Sequence, residues 1–358
     1  MRIAIDAREL CGRPTGVGRY LDRILRGWAN LPAAALHEYV LCAPETPSLE
    51  PLSFHVTITT RSGSGTRWEQ FTLPSLLRHV KADVLFAPGY SGPILSHVPM
   101  VLTIHDVSFA AHPGWFGWRE GLRRRALTRW AARRASRVLT ISEFSRNEIV
   151  RHLGISSAKV EVIYPGATAY PSPGRTADEP IVLFVGSLFN RRNIPELIAG
   201  FARVAGRHPH VRLEIVGENR TIPHVDADAL ARGSGAGDRI AVRSYVAADT
   251  LASLYGSAHL FVFLSDYEGF ALTPLDALAS GIPVILLDTP VAREIYGDAA
   301  LYVPRADPLS VADAIERLLF DDNERARLLC VAPSVVARYS WQECAQRVLD
   351  ELLVHGER

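Results

Sequence analysis

Residues 260–284 read Leu260-Phe261-Val262-Phe263-Leu264-Ser265-Asp266-Tyr267-Glu268-Gly269-Phe270-Ala271-Leu272-Thr273-Pro274-Leu275-Asp276-Ala277-Leu278-Ala279-Ser280-Gly281-Ile282-Pro283-Val284. The opening apolar run is too short for a helix and suits a strand buried on both faces. Thr273 is predicted to cap a helix whose first residue is Pro274, and Gly281 and Pro283 are predicted to stop it. The strand pattern then resumes at Val284–Leu287. Strand, helix and strand in this order make a parallel unit, with the helix opening at the carboxyl edge of the sheet. Backbone N–H groups at such a helix start favour an anion, so those of Phe270, Ala271 and Leu272 are expected to face one.

The same alternation runs outward through the chain. Strands are predicted at Ile3–Asp6, Tyr39–Cys42, Val56–Thr59, Val84–Ala87, Val101–Ile104, Val138–Ile141 and Val160–Ile163. A second series follows at Ile181–Val185, Arg212–Val216, Ile240–Arg243, Leu260–Leu264, Val284–Leu287 and Ala300–Val303. Helical patterns such as Tyr20–Leu31 and Leu122–Ala135 lie between them. Residues 165–180, rich in Pro, Gly, Ala and Thr, read as a linker. At 358 residues the chain suits two domains. The expectation is an α/β fold of two Rossmann-like, doubly wound domains facing a cleft: 1–168 on the acceptor side and 178–340 on the donor side. A closing helix at about 341–358 is expected to pack back on the first domain.

Composition removes several classes. Nearly half the residues are apolar and the formal net charge is +1, which fits a folded globule and offers no global attraction to nucleic acid. Arg2, Asp6 and Arg8 interrupt any signal-peptide core near the N-terminus, and no apolar run reaches the length of a membrane span. Cys11, Cys42, Cys330 and Cys344 are scattered, without CxxC spacing or a His/Cys cluster, so neither a zinc site nor a disulfide scaffold is expected. There is no GxxxxGK[ST] loop, and Leu21 stands where GxGxxG would need its third glycine. A cytoplasmic protein without metal or cofactor is the expectation.

Three other segments carry chemistry. In Phe184-Val185-Gly186-Ser187-Leu188-Phe189-Asn190-Arg191-Arg192-Asn193-Ile194-Pro195-Glu196, a glycine turn joins a strand to a helix. Asn193 is predicted as its N-cap, with Glu196 completing a capping box. Arg191 and Arg192 precede that helix start, a poor electrostatic place for unpaired cations, and suit a diphosphate clamp. In Thr15-Gly16-Val17-Gly18-Arg19-Tyr20, Gly16 and Gly18 permit close approach of a ligand. In Thr103-Ile104-His105-Asp106, the His-Asp pair emerges at the carboxyl end of a strand. Thr140-Ile141-Ser142-Glu143-Phe144-Ser145-Arg146 ends another strand with a serine cap.

The Glu268 segment closely resembles the donor-site motif of the retaining, GT-B-fold glycosyltransferases of family 4 (group 1), with its two acids in EGFGLPxxEALAxGxPV. Glu268 matches the first acid, and Asp276 stands where the second is usually glutamate. The family usually has a lysine near Arg192 and often an arginine near Ser187, two further departures. The resemblance implies that Glu268 and His105, with Asp106, contact the transferred sugar. It implies that Asp276 binds ribose, although Thr273-x-x-Asp276 also reads as a capping box that serves only the helix. Donor contacts are then expected at Gly16, Gly18, Gly186, Ser187, Arg191, Arg192, Gly217, Val246, Glu268, Gly269, Phe270, Ala271, Leu272 and Asp276. Catalysis would rest on Glu268, His105, Asp106 and Arg192, with the departing phosphate oxygen as base.

The glycine loop, His105-Asp106 and Ser142–Arg146 look most like bacterial mannosyltransferases of polysaccharide or O-antigen assembly. GDP-mannose is the first donor expected and a UDP-sugar the second. The acceptor would be a glycan, a lipid-linked or a small-molecule hydroxyl. A dehydrogenase would need the missing GxGxxG. An epimerase or phosphorylase would share the cleft. A nucleotide-binding scaffold on a decayed transferase fold draws on Ser187 and Asp276. Arginines from Arg119 to Arg137 offer a further expectation, peripheral contact with an anionic lipid surface at the inner membrane face, although they spread around the helix rather than opposite Leu122, Ala126 and Trp130.

Overall fold

The structure is a computed structural model that describes residues 1–13, 16–171 and 179–356. Thr15 of the glycine loop, residues 172–178 of the linker and the last two residues of the C-terminal segment lie outside the described residues. All thirteen predicted strands are present, each within one residue of its expected ends. They are β1 (Arg2–Asp6), β2 (Glu38–Ala43), β3 (Val56–Thr60), β4 (Val84–Ala87), β5 (Met100–Thr103), β6 (Arg137–Thr140) and β7 (Val160–Val162). The second series is β8 (Ile181–Val185), β9 (Arg212–Val216), β10 (Ile240–Arg243), β11 (Leu260–Phe263), β12 (Val284–Leu287) and β13 (Ala300–Val303).

The strands form two parallel sheets, ordered β3-β2-β1-β4-β5-β6-β7 and β10-β9-β8-β11-β12-β13. In each, the chain winds one way from the first strand, returns and winds the other way. The order reverses between β1 and β4 and again between β8 and β11. Adjacent crossovers part at those points, which is where open α/β sheets take ligands. The apolar runs follow position. Central β4 and β11 are buried along their whole length, whereas edge strand β3 leaves Thr57, Ile58 and Thr60 exposed and is correspondingly rich in threonine.

By internal contacts the chain forms two units, Met1–Gly166 with Tyr339–Arg358, and Ala167–Arg338. In the first, helix Trp341–Gly356 lies on helix Gly16–Trp28. Trp28 Nε1 donates to the Ala345 carbonyl at 2.9 Å, and Gly27 has no side chain where Ala345 comes against it. Helix Gly16–Trp28 begins four residues before the predicted start, and the predicted Leu122–Ala135 helix runs from Trp118 to Arg134.

Part of the segment read as a linker is held by hydrogen bonds to the second unit. The Thr168 N–H donates to Asp276 Oδ1 at 2.8 Å and the Tyr170 N–H to Ser280 Oγ at 2.9 Å. The Tyr170 ring stacks on Tyr255 with centroids 4.5 Å apart.

Gly27→Ala is expected to lower stability by about 1–3 kcal/mol, because its methyl meets Ala345 in a close-packed helix crossing. Urea denaturation measures this. An unchanged midpoint would mean that the two helices separate at no cost.

Candidate active site

β8 and β11, the neighbours at the reversal of the second sheet, deliver the two motifs. Gly186 and Ser187 follow β8, a short 3-10 turn carries Asn190–Arg192, and Glu268 follows β11. Arg192 Nε donates to Glu268 Oε1 at 2.9 Å, and its Nη1 donates to the Ser187 carbonyl at 2.8 Å. Nη2 of Arg192 makes no hydrogen bond among the described residues. Arg191 Nε donates to the Tyr267 carbonyl at 3.1 Å and stands 4.0 Å from Glu268. Ser265 Oγ donates to Glu268 Oε1 at 2.8 Å. Two guanidinium groups therefore share one carboxylate, and all three side chains are largely out of water.

Aromatic rings hold the arginines in place. Arg191 lies 4.3 Å from the Phe189 ring centre and Arg192 lies 4.9 Å from that of Phe263. Gly186, at φ +150°, leaves room that a Cβ would take from Arg192 Nη1, 2.5 Å away. Gly217 faces the Gly186 carbonyl so closely that a side chain would displace it. Both glycines thus keep the turn after β8 narrow, a physical reason for their residue type. Val246, another of the expected donor contacts, lies beyond the end of edge strand β10 and is half-buried.

Burial pushes the Glu268 carboxyl up. Arg192, then Arg191, together with hydrogen bonds from Arg192 and Ser265, outweigh it and hold the group below its ordinary value. Glu268 is therefore ionised at neutral pH, and its two oxygens act as acceptors.

Three cap expectations are corrected. Asn193 does occupy the N-cap position of helix Ile194–Arg207, but it adopts a left-handed backbone and makes no side-chain cap, so no capping box with Glu196 forms. Its Nδ2 instead reaches the Leu264 carbonyl at 2.8 Å and Asp266 Oδ2 at 3.2 Å, tying the arginine turn to the loop after β11. The helix after Glu268 runs Leu272–Ala279, so Thr273 sits inside its first turn, and left-handed Ala271 holds the cap position without a side-chain cap. Asp276 does not close a box with Thr273. Its side chain is buried, and Oδ1 accepts from Thr168. Gly269 and Phe270 complete the turn between Glu268 and this helix, with the Phe270 ring buried, and the Tyr296 hydroxyl donates to the Ala271 carbonyl.

In the first unit, His105 and Asp106 follow β5. The buried His105 ring donates from Nε2 to the Pro88 carbonyl at 2.7 Å, which assigns the proton to Nε2. Burial lowers its pKa, with the Pro88 carbonyl and Asp106 opposing, so the ring is neutral at physiological pH. It meets Tyr20 edge to face at 4.9 Å. Asp106 Oδ2 accepts from the Tyr90 hydroxyl at 3.0 Å and Oδ1 from the Ser108 N–H at 2.8 Å. Ser142 caps its helix as expected, and Ser145 Oγ donates to the His105 carbonyl at 3.0 Å. Gly16 and Gly18 lie in the first turn of helix Gly16–Trp28.

Sequence reasoning missed a second buried group in this unit. Arg8 binds Asp6 at 2.6 Å and Glu69 at 3.1 Å, and Ser91 Oγ donates to Glu69 Oε1 at 2.5 Å. Asp6 ends β1, Arg8 opens the 3-10 turn Arg8–Leu10 just after it, Ser91 follows β4, and Glu69 lies on a π-helical turn, Trp68–Thr72. An acid on a helix distant in sequence offers no motif that would mark it.

Two doubly wound parallel sheets of this kind are the GT-B architecture of glycosyltransferases. The profile described as Glycosyltransferase Family 4 matches residues 14–168 and the profile Glycosyl transferases group 1 matches residues 169–329. Together they take in most of the chain, which belongs to this glycosyltransferase family and is an enzyme of the hexosyltransferase kind. Among its relatives, an uncharacterized glycosyltransferase of Methanocaldococcus jannaschii is 26% identical over 73% of this chain and 71% of its own. The GDP-mannose:cellobiosyl-diphosphopolyprenol alpha-mannosyltransferase of Xanthomonas oryzae is 25% identical over 71% of this chain and 67% of its own. Anabaena HepE, solved in complex with UDP and glucose, superposes with a TM-score of 0.77 at 17% identity, covering 99% of this chain and 100% of that one.

A depressed acid stabilises the fold above its unfolded pKa, about 4.3 for glutamate, and loses that contribution as pH falls through the lower folded value. The stability difference between the wild type and Glu268→Gln is therefore expected to shrink as pH falls below about 4. Urea midpoints along a pH series read it. A difference independent of pH would show that the ion pair does not set the ionisation of Glu268.

Proposed function

We propose that this enzyme transfers a hexose from a nucleotide diphosphate sugar with retention of configuration and without a metal, GDP-mannose being the first donor. The acceptor is a hydroxyl of a glycan, a lipid-linked or a small molecule, in polysaccharide or O-antigen assembly. The observation that carries this reading is the pair of arginines sharing Glu268 where β8 meets β11. Two cations on one carboxylate leave an excess of positive charge, suited to a diphosphate leaving group.

As the bond from C1 of the sugar to the diphosphate breaks, negative charge grows on the phosphate oxygens. Arg192, through the Nη2 that holds no partner among the described residues, and the start of helix Leu272–Ala279 would take up that charge. Ionised Glu268 would accept hydrogen bonds from sugar hydroxyls and fix the ring's pose. His105, neutral and protonated on Nε2, would present its other nitrogen as an acceptor in the sugar pocket, with Asp106 positioned by Tyr90. The departing phosphate oxygen would receive the proton of the attacking acceptor hydroxyl, which approaches on the face the diphosphate leaves. Asp276 is assigned to the ribose, with its carboxylate oriented by the Thr168 N–H.

The mannosyl preference draws on the Xanthomonas relative, whose name gives GDP-mannose as its donor. The UDP in Anabaena HepE favours the second reading, a UDP-sugar donor.

Calorimetric titration with GDP, UDP, ADP and GDP-mannose, with and without EDTA, separates these. GDP binding that EDTA leaves unchanged is expected. Selective UDP binding would move the donor to a UDP-sugar, and binding abolished by EDTA would remove the metal-free mechanism. Arg192→Ala and Glu268→Ala are each expected to reduce kcat by about 10²–10³, the usual cost of one preorganised charge contact. Turnover near that of the wild type in either folded variant would withdraw that residue from the site.

A further inference from the structure

The π-helical turn Trp68–Thr72 buries its acid and exposes its phenylalanine: Glu69 is 2% exposed and Phe71 is 71% exposed. An acid taken inside while a phenylalanine stays in water needs a cause other than the hydrophobic effect. Neutralising Arg8 is not that cause. Asp6 already grips the guanidinium, with Nε donating to Oδ1 at 2.9 Å and Nη2 to Oδ2 at 2.6 Å. Glu69 adds a second carboxylate to the same cation, and burying a surplus charge returns little stability.

Both side chains keep hydrogen-bonding capacity in hand. Glu69 Oε1 accepts from Arg8 Nη2 at 3.1 Å and from Ser91 Oγ at 2.5 Å, which leaves Oε2. Asp6 takes Nε and Nη2 of Arg8, which leaves Nη1. Neither Oε2 nor Nη1 has a hydrogen-bond partner among the described residues, and neither belongs to their unpartnered atoms sealed from solvent. An open acceptor and open donors therefore stand on two groups that touch. Their positions are fixed from behind. Arg8 lies 5.4 Å from the ring centre of buried Trp68. Gln70 ties the π-helical turn to the loop after β4, donating to the Gly92 carbonyl at 3.1 Å and accepting from the Ile94 N–H at 2.9 Å.

The pair stands at the carboxyl edge of the first sheet, where the order of strands reverses between β1 and β4. Two consecutive residues of the loop after β4 face two ways. Ser91 reaches Glu69, and the Tyr90 hydroxyl donates to Asp106 at 3.0 Å. One loop thus links the open pair to the pocket proposed for the transferred sugar.

We propose that Arg8 and Glu69 form a subsite for the acceptor, which takes an uncharged glycosyl residue through two neighbouring hydroxyls. Calling that ligand the acceptor rests on the sugar transfer proposed above. One hydroxyl oxygen accepts from Arg8 Nη1 and the next hydroxyl donates to Glu69 Oε2, so each open atom meets its complement. A phosphate dianion has no proton to give Glu69 and meets two carboxylates against one cation. An ammonium group has no acceptor to offer Arg8. A metal ion lacks ligands here, since no group of three or more suitable side chains occurs among the described residues.

Saturation-transfer NMR on the full chain without nucleotide tests this, using methyl α-glycosides of glucose, galactose and mannose, each beside its 6-phosphate. The wild type is expected to bind at least one glycoside, and the matching 6-phosphate about tenfold more weakly. Glu69→Ala, which leaves Arg8 paired with Asp6, should weaken glycoside binding about tenfold, the usual worth of a hydrogen bond to a charged group. Glu69→Gln keeps the size of the side chain but removes its charge, and should narrow the gap between glycoside and 6-phosphate. A purely structural Glu69 would lower the urea midpoint in both variants and leave that gap unchanged. Absence of glycoside binding, tighter binding of the 6-phosphates, or an unaltered preference in folded Glu69→Gln would each overturn the proposal. Nucleotide titration is a separate readout. Failure here leaves the donor chemistry standing, and failure of that titration leaves a glycoside site that is no longer an acceptor site.

Discussion

Arg192 and Glu268 lie 76 positions apart in the chain and meet only because β8 and β11 are neighbours in the second sheet. Holding a guanidinium and a carboxylate largely out of water costs several kcal/mol per ion, and their attraction returns this only when geometry and hydrogen bonds are good. The surrounding structure supplies both. Ser265 satisfies the acid, the Ser187 carbonyl satisfies the arginine, and Phe189 and Phe263 provide flat contacts for the cations. A pair so placed is weak as a source of stability. Its consequence is a charged group whose atoms are already positioned before any ligand arrives.

The narrowness of the turn after β8 is part of the same constraint. Gly186 and Gly217 admit no side chain without moving Arg192 or the backbone. Asn193, by turning its amide away from the helix it precedes, fastens that turn to the loop after β11. Three short-range choices, two glycines and one left-handed asparagine, thus convert two strand ends into one rigid site.

The first unit answers a similar problem with hydrogen bonds rather than one dominant pair. His105 is fixed by Pro88, Tyr20 and Ser145, and Asp106 by Tyr90 and Ser108. Nearby in the topology, at the reversal between β1 and β4, Asp6, Arg8, Glu69 and Ser91 form a buried network. On the outside of this unit, helix Trp118–Arg134 packs through small residues, which lets it lie close to the sheet while leaving its tryptophans in solvent.

The order of strands and helices was legible from sequence because a parallel sheet buried on both faces demands short, continuous apolar runs, and each run ends in a turn residue. The residues after β8 and β11 were legible for a related reason: glycines, paired arginines and an acid at strand ends have few purely structural uses. What each polar side chain would bond to was not. Thr273 and Asp276 have the spacing of a capping box, yet Asp276 turns to Thr168, and Glu69 finds Arg8 across 61 positions. Local spacing fixes which partners are near along the chain. Burial and packing then decide, among those and far more distant ones, which bond costs least to make. Helix Trp118–Arg134 shows the same division, because periodicity locates its faces but only the close fit of Gly121, Thr128, Ala131 and Ala132 against the fold selects the one that is buried.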